Sequence, residues 1–166
     1  EELKWLTTDS TRTTWIAQTI NDIASSGNTL ILVDRISAGQ ILEKKIKNSV
    51  FISGSTKNLE RKEHYDEVST TQNKIIIATY GVASVGINIP RIFNLVLIEP
   101  GKSFVRVIQS IGRGIRKAED KENVQIWDIT SSCKFAKRHL GARKKFYKEA
   151  NYPYNIEKVN YENPYT

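Results

Sequence analysis

The sequence predicts an α/β fold in which a parallel β-sheet carries helices on both of its faces. Five short runs of apolar, often β-branched residues alternate with segments of helical periodicity or polar composition. Runs this apolar are typical of strands buried on both faces, and parallel neighbours need crossover connections between them. With 166 residues, of which 39% are apolar and 26% charged, the chain is long enough to bury one core.

The elements follow in order along the chain. A first helix is predicted after residues 8–10, whose side chains offer N-cap oxygens, and it ends at residues 25–27. A strand over residues 29–33 comes next, and a second helical pattern starts at Ser37 and runs to Ile46. Further strands are predicted over residues 50–52, 74–79, 95–98 and 124–129, with helices over 57–68 and 103–111. Residues 151–166 lose this periodicity, so we expect a domain over residues 1–150 followed by an irregular tail.

Several classes of protein are excluded by composition. The apolar runs span only a handful of residues, whereas crossing a bilayer needs about 20, so no membrane partner is expected. The acidic start of the chain is unlike a signal peptide, and the single cysteine, Cys133, favours a reducing cytoplasm. His64 and His139 have no neighbouring ligands in the sequence, so no metal-binding residue is predicted. Because the chain holds no methionine, even at position 1, we expect it to be a piece of a longer protein.

The net charge of +7 is concentrated in one segment. Residues 131–150 contain seven lysines and arginines and one acid, Glu149. Such a segment favours a polyanionic partner, since lysine and arginine release the counterions condensed on nucleic-acid phosphates. Lys144 and Lys145 are the candidate nucleic-acid contacts here, although a solvated helix face would have the same composition.

Two further segments have the composition of ligand-binding loops. Residues 79–90 follow a predicted strand and are rich in small residues and glycine, which lets backbone N–H groups approach a phosphate, although turns share this composition. Residues 109–117 place Arg113 and Arg116 three positions apart, on one face of a helix if the helix continues. Such a pair of planar, permanently charged groups suits phosphate recognition, whereas alone it would indicate an exposed basic helix end.

Taken together, these segments resemble the second RecA-like domain of superfamily-two helicases. The fifth and sixth signature motifs of that family are matched by Gly81, Gly86, Asn88 and Pro90, followed by Gln109, Gly112, Arg113 and Arg116. Residues 30–36 resemble the fourth motif, so the resemblance covers nearly all of residues 28–130. It implies a RecA-like fold for residues 1–150 and the function of an ATP-dependent DNA helicase that acts on branched DNA.

The resemblance also implies roles for individual residues. Arg113 and Arg116 would reach the ATP γ-phosphate, with Gln109 orienting them. Gly86, Asn88 and Gly112 would line the same cleft, although many relatives have aspartate where this chain has asparagine. Nucleic-acid phosphates would be contacted by Thr79, Arg35 and the turn of Ser53, Gly54 and Ser55.

A helicase also needs a P-loop and an acidic Mg²⁺-binding motif, and neither is found in this sequence. Gly101-Lys102-Ser103 resembles the end of a P-loop, but the position five residues before Gly101 is Val96 instead of glycine. We therefore expect ATP and Mg²⁺ to be bound mainly by an N-terminal RecA-like domain of the same polypeptide. The chain alone is expected to be inactive as an ATP hydrolase.

Two alternative functions use the same fold. One is the translocase subunit of a machine that moves along duplex DNA without separating the strands. The other is a non-catalytic nucleic-acid-binding module that relies on the basic segment and its aromatic residues. The retained arginine pair argues against a module that only binds.

Overall fold

The computed structural model describes residues 10–53, 73–84, 92–100, 125–130 and 134–149. They form five strands and four helices. In chain order these are α1 (Ser10–Ala24), β1 (Thr29–Val33), α2 (Ile36–Lys45), β2 (Ser49–Ile52), β3 (Ile75–Thr79), α3 (Tyr80–Ser84), β4 (Asn94–Ile98), β5 (Gln125–Ile129) and α4 (Lys134–Glu149). All five strands therefore match the predicted strands to within one residue at each end.

The strands form one parallel sheet in the order β2-β3-β1-β4-β5. Every residue of the central strands β1 and β4 is buried, and all but their first residues, Thr29 and Asn94, are apolar, as the prediction of strands covered on both faces requires. Because all the strands run the same way, their carboxyl ends lie at one edge of the sheet. Ligands of open parallel sheets gather at that edge.

Alternate residues of the strands divide the core into two layers. On one face, α1 and α2 pack against the sheet, with Ile16 and Ile20 of α1 and Leu42 of α2 buried among β-strand residues such as Ile31. On the other face, α3 packs against the sheet through its Tyr80, Val82 and Ala83 side chains. Helices on both faces confirm the predicted α/β class.

Two local details differ from the predictions. The second helix starts at Ile36, before Ser37, and its N-cap is Arg35, which has an extended backbone and makes no capping hydrogen bond through its side chain. Residues 79–90 were predicted as a loop, but the first of them form α3, since the Thr79 hydroxyl caps a helical turn directly after β3. The predicted helices over residues 57–68 and 103–111 and the predicted tail lie outside the described residues.

Candidate nucleic-acid interface

Three of the predicted nucleic-acid-binding residues lie at the carboxyl edge of the sheet. Val33 pairs with Thr79, and Ile52 pairs with Ala78, so Ser53 lies at the level of Thr79 on the neighbouring strand. Arg35 follows β1 by two residues. Neighbouring strands lie about 4.8 Å apart, so the backbones of Ser53, Thr79 and Val33 fall within about 10 Å across β2, β3 and β1. The fold thus brings two hydroxyls and, two residues beyond β1, a guanidinium to the carboxyl edge of the sheet.

Thr79 holds a defined place at this edge. Its Oγ1 atom accepts a hydrogen bond of 3.2 Å from the backbone N–H of Val82, which is the third residue of α3. Accepting this bond uses a lone pair of the oxygen, so the hydroxyl proton can still be donated to a phosphate. The cap therefore fixes the direction of Thr79 without preventing the predicted contact.

Arg35 and Ser53 differ in accessibility. The Arg35 side chain is exposed beside the first turn of α2 and is accessible to an anion. Ser53 is 7% exposed, so only part of its surface reaches solvent at the end of β2. The predicted turn continues through Gly54 and Ser55, which lie outside the described residues.

The basic segment predicted from charge forms the 16-residue helix α4. Lys145 and Lys148 are exposed, Arg138 is exposed, and Lys144 is half-buried. We name these four residues the basic surface of α4. Arg143 does not belong to it, because that residue is 2% exposed. The charge count of the sequence thus overstates the number of cations that α4 offers to a polyanion.

Arg143 anchors α4 to the sheet. Its Nε and Nη2 atoms donate hydrogen bonds of 2.6 and 2.8 Å to the two carboxylate oxygens of Asp128 on β5. Its Nη1 atom donates a bond of 2.8 Å to the carbonyl oxygen of Pro100. Bidentate arginine–carboxylate geometry of this kind fixes direction as well as distance. The basic surface of α4 is therefore held in a set position relative to β4 and β5.

A second buried ion pair lies at the end of β4. The Arg12 guanidinium of α1 pairs with the Glu99 carboxylate, and the two side chains are 1% and 3% exposed. Thr130 donates a hydrogen bond of 3.3 Å to the same carboxylate. Burial raises the pKa of the Glu99 carboxyl, and the positive charge of Arg12 opposes that shift. Glu99 also has a backbone φ of +46°, which residues with a side chain rarely adopt.

Both ion pairs were missed by the sequence analysis, although the sequence contains a signal for each. Arg12 falls four positions before Ile16 and eight before Ile20, so it lies on the buried stripe of α1. Asp128 interrupts the apolar run of β5. A charge at a position that the periodicity predicts to be buried needs a partner of opposite charge. Because Arg12 and Glu99 are 87 residues apart in sequence, the sequence does not identify Glu99 as the partner of Arg12.

The remaining predicted site residues lie outside the described residues. They are Gly86, Asn88, Gln109, Gly112, Arg113 and Arg116, together with Gly54 and Ser55. Among the residues that are described, no cluster of three or more metal-ligating side chains occurs. No helix in the described ranges is long and apolar enough to cross a membrane.

The parallel register, the strand order and the polar carboxyl edge define a RecA-like α/β domain of the helicase type. The chain belongs to the family of helicase conserved C-terminal domains, whose model matches residues 12–118. The resemblance stated from residues 81–90 and 109–116 is therefore confirmed.

Relatives of known name agree with this assignment. The chain is 30% identical over 151 residues to the ATP-dependent DNA helicase UvsW of Enterobacteria phage T4. The aligned region covers 88% of the chain and 30% of UvsW. It is 32% identical over 104 residues to putative helicase 22 of a Sulfolobus islandicus filamentous virus, covering 60% of the chain and 18% of that protein. The sequence of residues 77–90 and 105–117 indicates the same relationship to UvsW. The chain spans less than a third of the length of either relative.

Solved structures show the same fold. The crystal structure of T4 UvsW matches with a TM-score of 0.80 and 25% identity over 96% of this chain and 37% of that chain. The C-terminal domain of the DEAD-box protein Dbp5 matches with a TM-score of 0.66 and 19% identity, covering 82% of this chain and 79% of that one. The second likeness concerns the fold alone.

Proposed function

We propose that the chain is the second motor domain of an ATP-dependent DNA helicase that unwinds or branch-migrates forks, Holliday junctions or R-loops. Its role would lie in the recombination, repair and replication of a bacteriophage, in the cytoplasm of the bacterial host. Membership of the helicase C-terminal family supports the motor function. The similarity to a phage protein named as an ATP-dependent DNA helicase supports DNA as the substrate.

The observation that carries this proposal is the register at the carboxyl edge of β2, β3 and β1. Thr79 ends β3, Ser53 follows β2, and Arg35 follows β1 by two residues. All three therefore lie at the edge where open parallel sheets bind ligands. A guanidinium and two hydroxyls recognise phosphate without reading base sequence. This donor set suits a motor that must step along DNA of any sequence.

The basic surface of α4 would add a second, electrostatic contact. Lys144 and Lys145 would neutralise phosphates and so release counterions. Because Arg143 holds α4 against β5 and the end of β4, these lysines would keep a fixed distance from the carboxyl edge. A DNA strand bound at both places would be fixed relative to the motor core.

In the ATP reaction, this chain would contribute charge stabilisation. Arg113 and Arg116 would contact the γ-phosphate across the cleft to the first motor domain, with Gln109 orienting them. Gly86, Asn88 and Gly112 would line that cleft. Guanidinium groups placed this way stabilise the charge of the transferring phosphoryl group. ATP and Mg²⁺ would be held mainly by the first motor domain.

Strand separation of a radiolabelled fork by the polypeptide that carries both motor domains tests this proposal. Unwinding should require ATP, and Arg116→Ala should abolish both unwinding and ATP hydrolysis while DNA affinity stays within a few-fold. Lys44→Ala is the matched control, because it removes an exposed charge from the last turn of α2, at the opposite end of that helix from Arg35.

Other outcomes would identify the alternative functions. ATP hydrolysis that duplex DNA stimulates, without strand separation, would indicate a duplex translocase. DNA binding without any hydrolysis would indicate a non-catalytic module. Normal turnover in the Arg116→Ala variant would refute the role given to that arginine.

A further inference from the structure

Residues 99 and 100, at the end of β4, are held from two sides. The Glu99 carboxylate is bound by Arg12 of α1 and by Thr130, while the Pro100 carbonyl accepts a bond of 2.8 Å from Arg143 of α4. The backbone N–H of Glu99 also donates to the carbonyl oxygen of Ile129 at 2.9 Å. These contacts hold Glu99 in the left-handed region in spite of its side chain.

The Arg143 side chain joins three parts of the molecule. It belongs to α4, it makes a bidentate ion pair with Asp128 on β5, and it binds the Pro100 carbonyl that follows β4. The three hydrogen bonds to Asp128 and Pro100 are all donated by one planar guanidinium that is almost fully buried. A displacement of α4 would therefore shift or break the hydrogen bond to the carbonyl oxygen of Pro100.

Arg143 lies between the lysines proposed to bind DNA and the residue that precedes the ATP-facing segment. Lys144 and Lys145 follow it directly on α4 and belong to the basic surface proposed to bind DNA. On the other side, Pro100 directly precedes the segment of the sequence that leads to Arg113 and Arg116. One buried side chain thus connects a DNA-binding helix with the root of the segment that carries the ATP-facing arginines.

We propose that Arg143 is a positioning residue that couples DNA binding on α4 to ATP hydrolysis through the Pro100 carbonyl. The inference rests on the proposed function and deepens it. Because Arg143 ties α4 to residue 100, DNA that pulls on Lys144 and Lys145 acts on α4 and on residue 100 together. A lysine at position 143 would keep the charge but would not form the bidentate pair and the Pro100 bond together, because it lacks the planar set of donors.

The test compares ATP turnover with and without saturating forked DNA in the polypeptide that carries both motor domains. In Arg143→Lys, turnover without DNA and the dissociation constant for DNA should stay within about twofold of the wild type. The stimulation of kcat by DNA should fall about fivefold or more, which is the lower end of ordinary coupling between sites. A merely structural role would lower the thermal stability and leave this stimulation ratio unchanged.

Two further variants complete the experiment. Asp128→Asn weakens the same ion pair without touching Arg143, so it should also reduce the stimulation, and it decides the matter if Arg143→Lys does not fold. Ser49→Ala removes a hydrogen bond of 2.7 Å to the carbonyl oxygen of Ile46 at the start of β2, which β3 and β1 separate from β4, and should lower stability with normal stimulation.

The outcomes separate this inference from the function on which it rests. Wild-type stimulation in both Arg143→Lys and Asp128→Asn would overturn the coupling role and leave the helicase proposal intact. A wild-type protein that hydrolyses no ATP would overturn the helicase proposal, and the coupling role with it.

Discussion

Replacing Lys144 and Lys145 together by alanine should lower the salt dependence of DNA binding by a calculable amount. The structure decides which cations of the basic segment count. Lys145 is exposed and Lys144 is half-buried, so both can reach a phosphate, whereas Arg143 is buried against Asp128 and cannot. The double variant should therefore remove two phosphate contacts.

The magnitude follows from counterion release. Each phosphate contact on duplex DNA contributes about 0.9 to the slope of the logarithm of the binding constant against the logarithm of salt concentration. Two contacts contribute about 1.8 to the slope. Between about 50 and about 200 mM salt, the wild type should then lose about 12-fold more affinity than the double variant.

Fluorescence anisotropy with a labelled duplex, measured across that range of salt, gives both slopes. The charge-matched control is Lys44→Ala with Lys47→Ala, which removes two exposed lysines near the amino-terminal edge of the sheet and should leave the slope unchanged. Equal slopes for the wild type and the Lys144 and Lys145 variant would refute the reasoning. The basic surface of α4 would then be only a solvated helix face.

Three further predictions concern the fold and the carboxyl edge. Thr79→Ala should cost about 1 kcal/mol through loss of the α3 cap and should weaken DNA binding, whereas Thr79→Ser should keep both, as urea unfolding and anisotropy would show. Glu99→Ala should cost about 3–5 kcal/mol in urea unfolding because its arginine partner is left buried without a counter-charge, and a loss below about 1 kcal/mol would contradict this. Gly39→Ala gains about 1 kcal/mol of helix propensity, but its Cβ would lie 2.6 Å from Cδ1 of Phe51, so a net loss is expected. Gly141→Ala meets no atom within 4 Å and should stabilise by about 0.5–1 kcal/mol, so thermal unfolding should show opposite signs for the two glycines.

The sheet could be predicted from the sequence because its signal is local. After its first residue, each of β1 and β4 is apolar without interruption, so both strands were predicted to within one residue. The start of α2 lies one residue before the predicted Ser37, and Arg35 takes the N-cap position with an extended backbone. Boundaries depend on such single contacts and are therefore less predictable than the elements themselves.

The buried polar contacts could not be predicted, because they join residues that are far apart in sequence. Charge counting included Arg143 among the seven basic residues of the segment 131–150, whereas its pairing with Asp128 removes it from the surface. The Arg12–Glu99 pair joins the first turn of α1 to the end of β4. The periodicity marks these positions as buried, but only the fold shows which charges meet.

We propose that this chain supplies half of an ATP-driven motor. Hydrolysis of ATP by the purified chain, with Mg²⁺ and forked DNA, tests it most directly when the same measurement is made on the polypeptide that carries both motor domains. We expect no turnover by the chain alone and DNA-stimulated turnover by the two-domain polypeptide. Robust turnover by the chain alone would contradict it and would require Gly101-Lys102-Ser103 to be reconsidered as a nucleotide-binding segment.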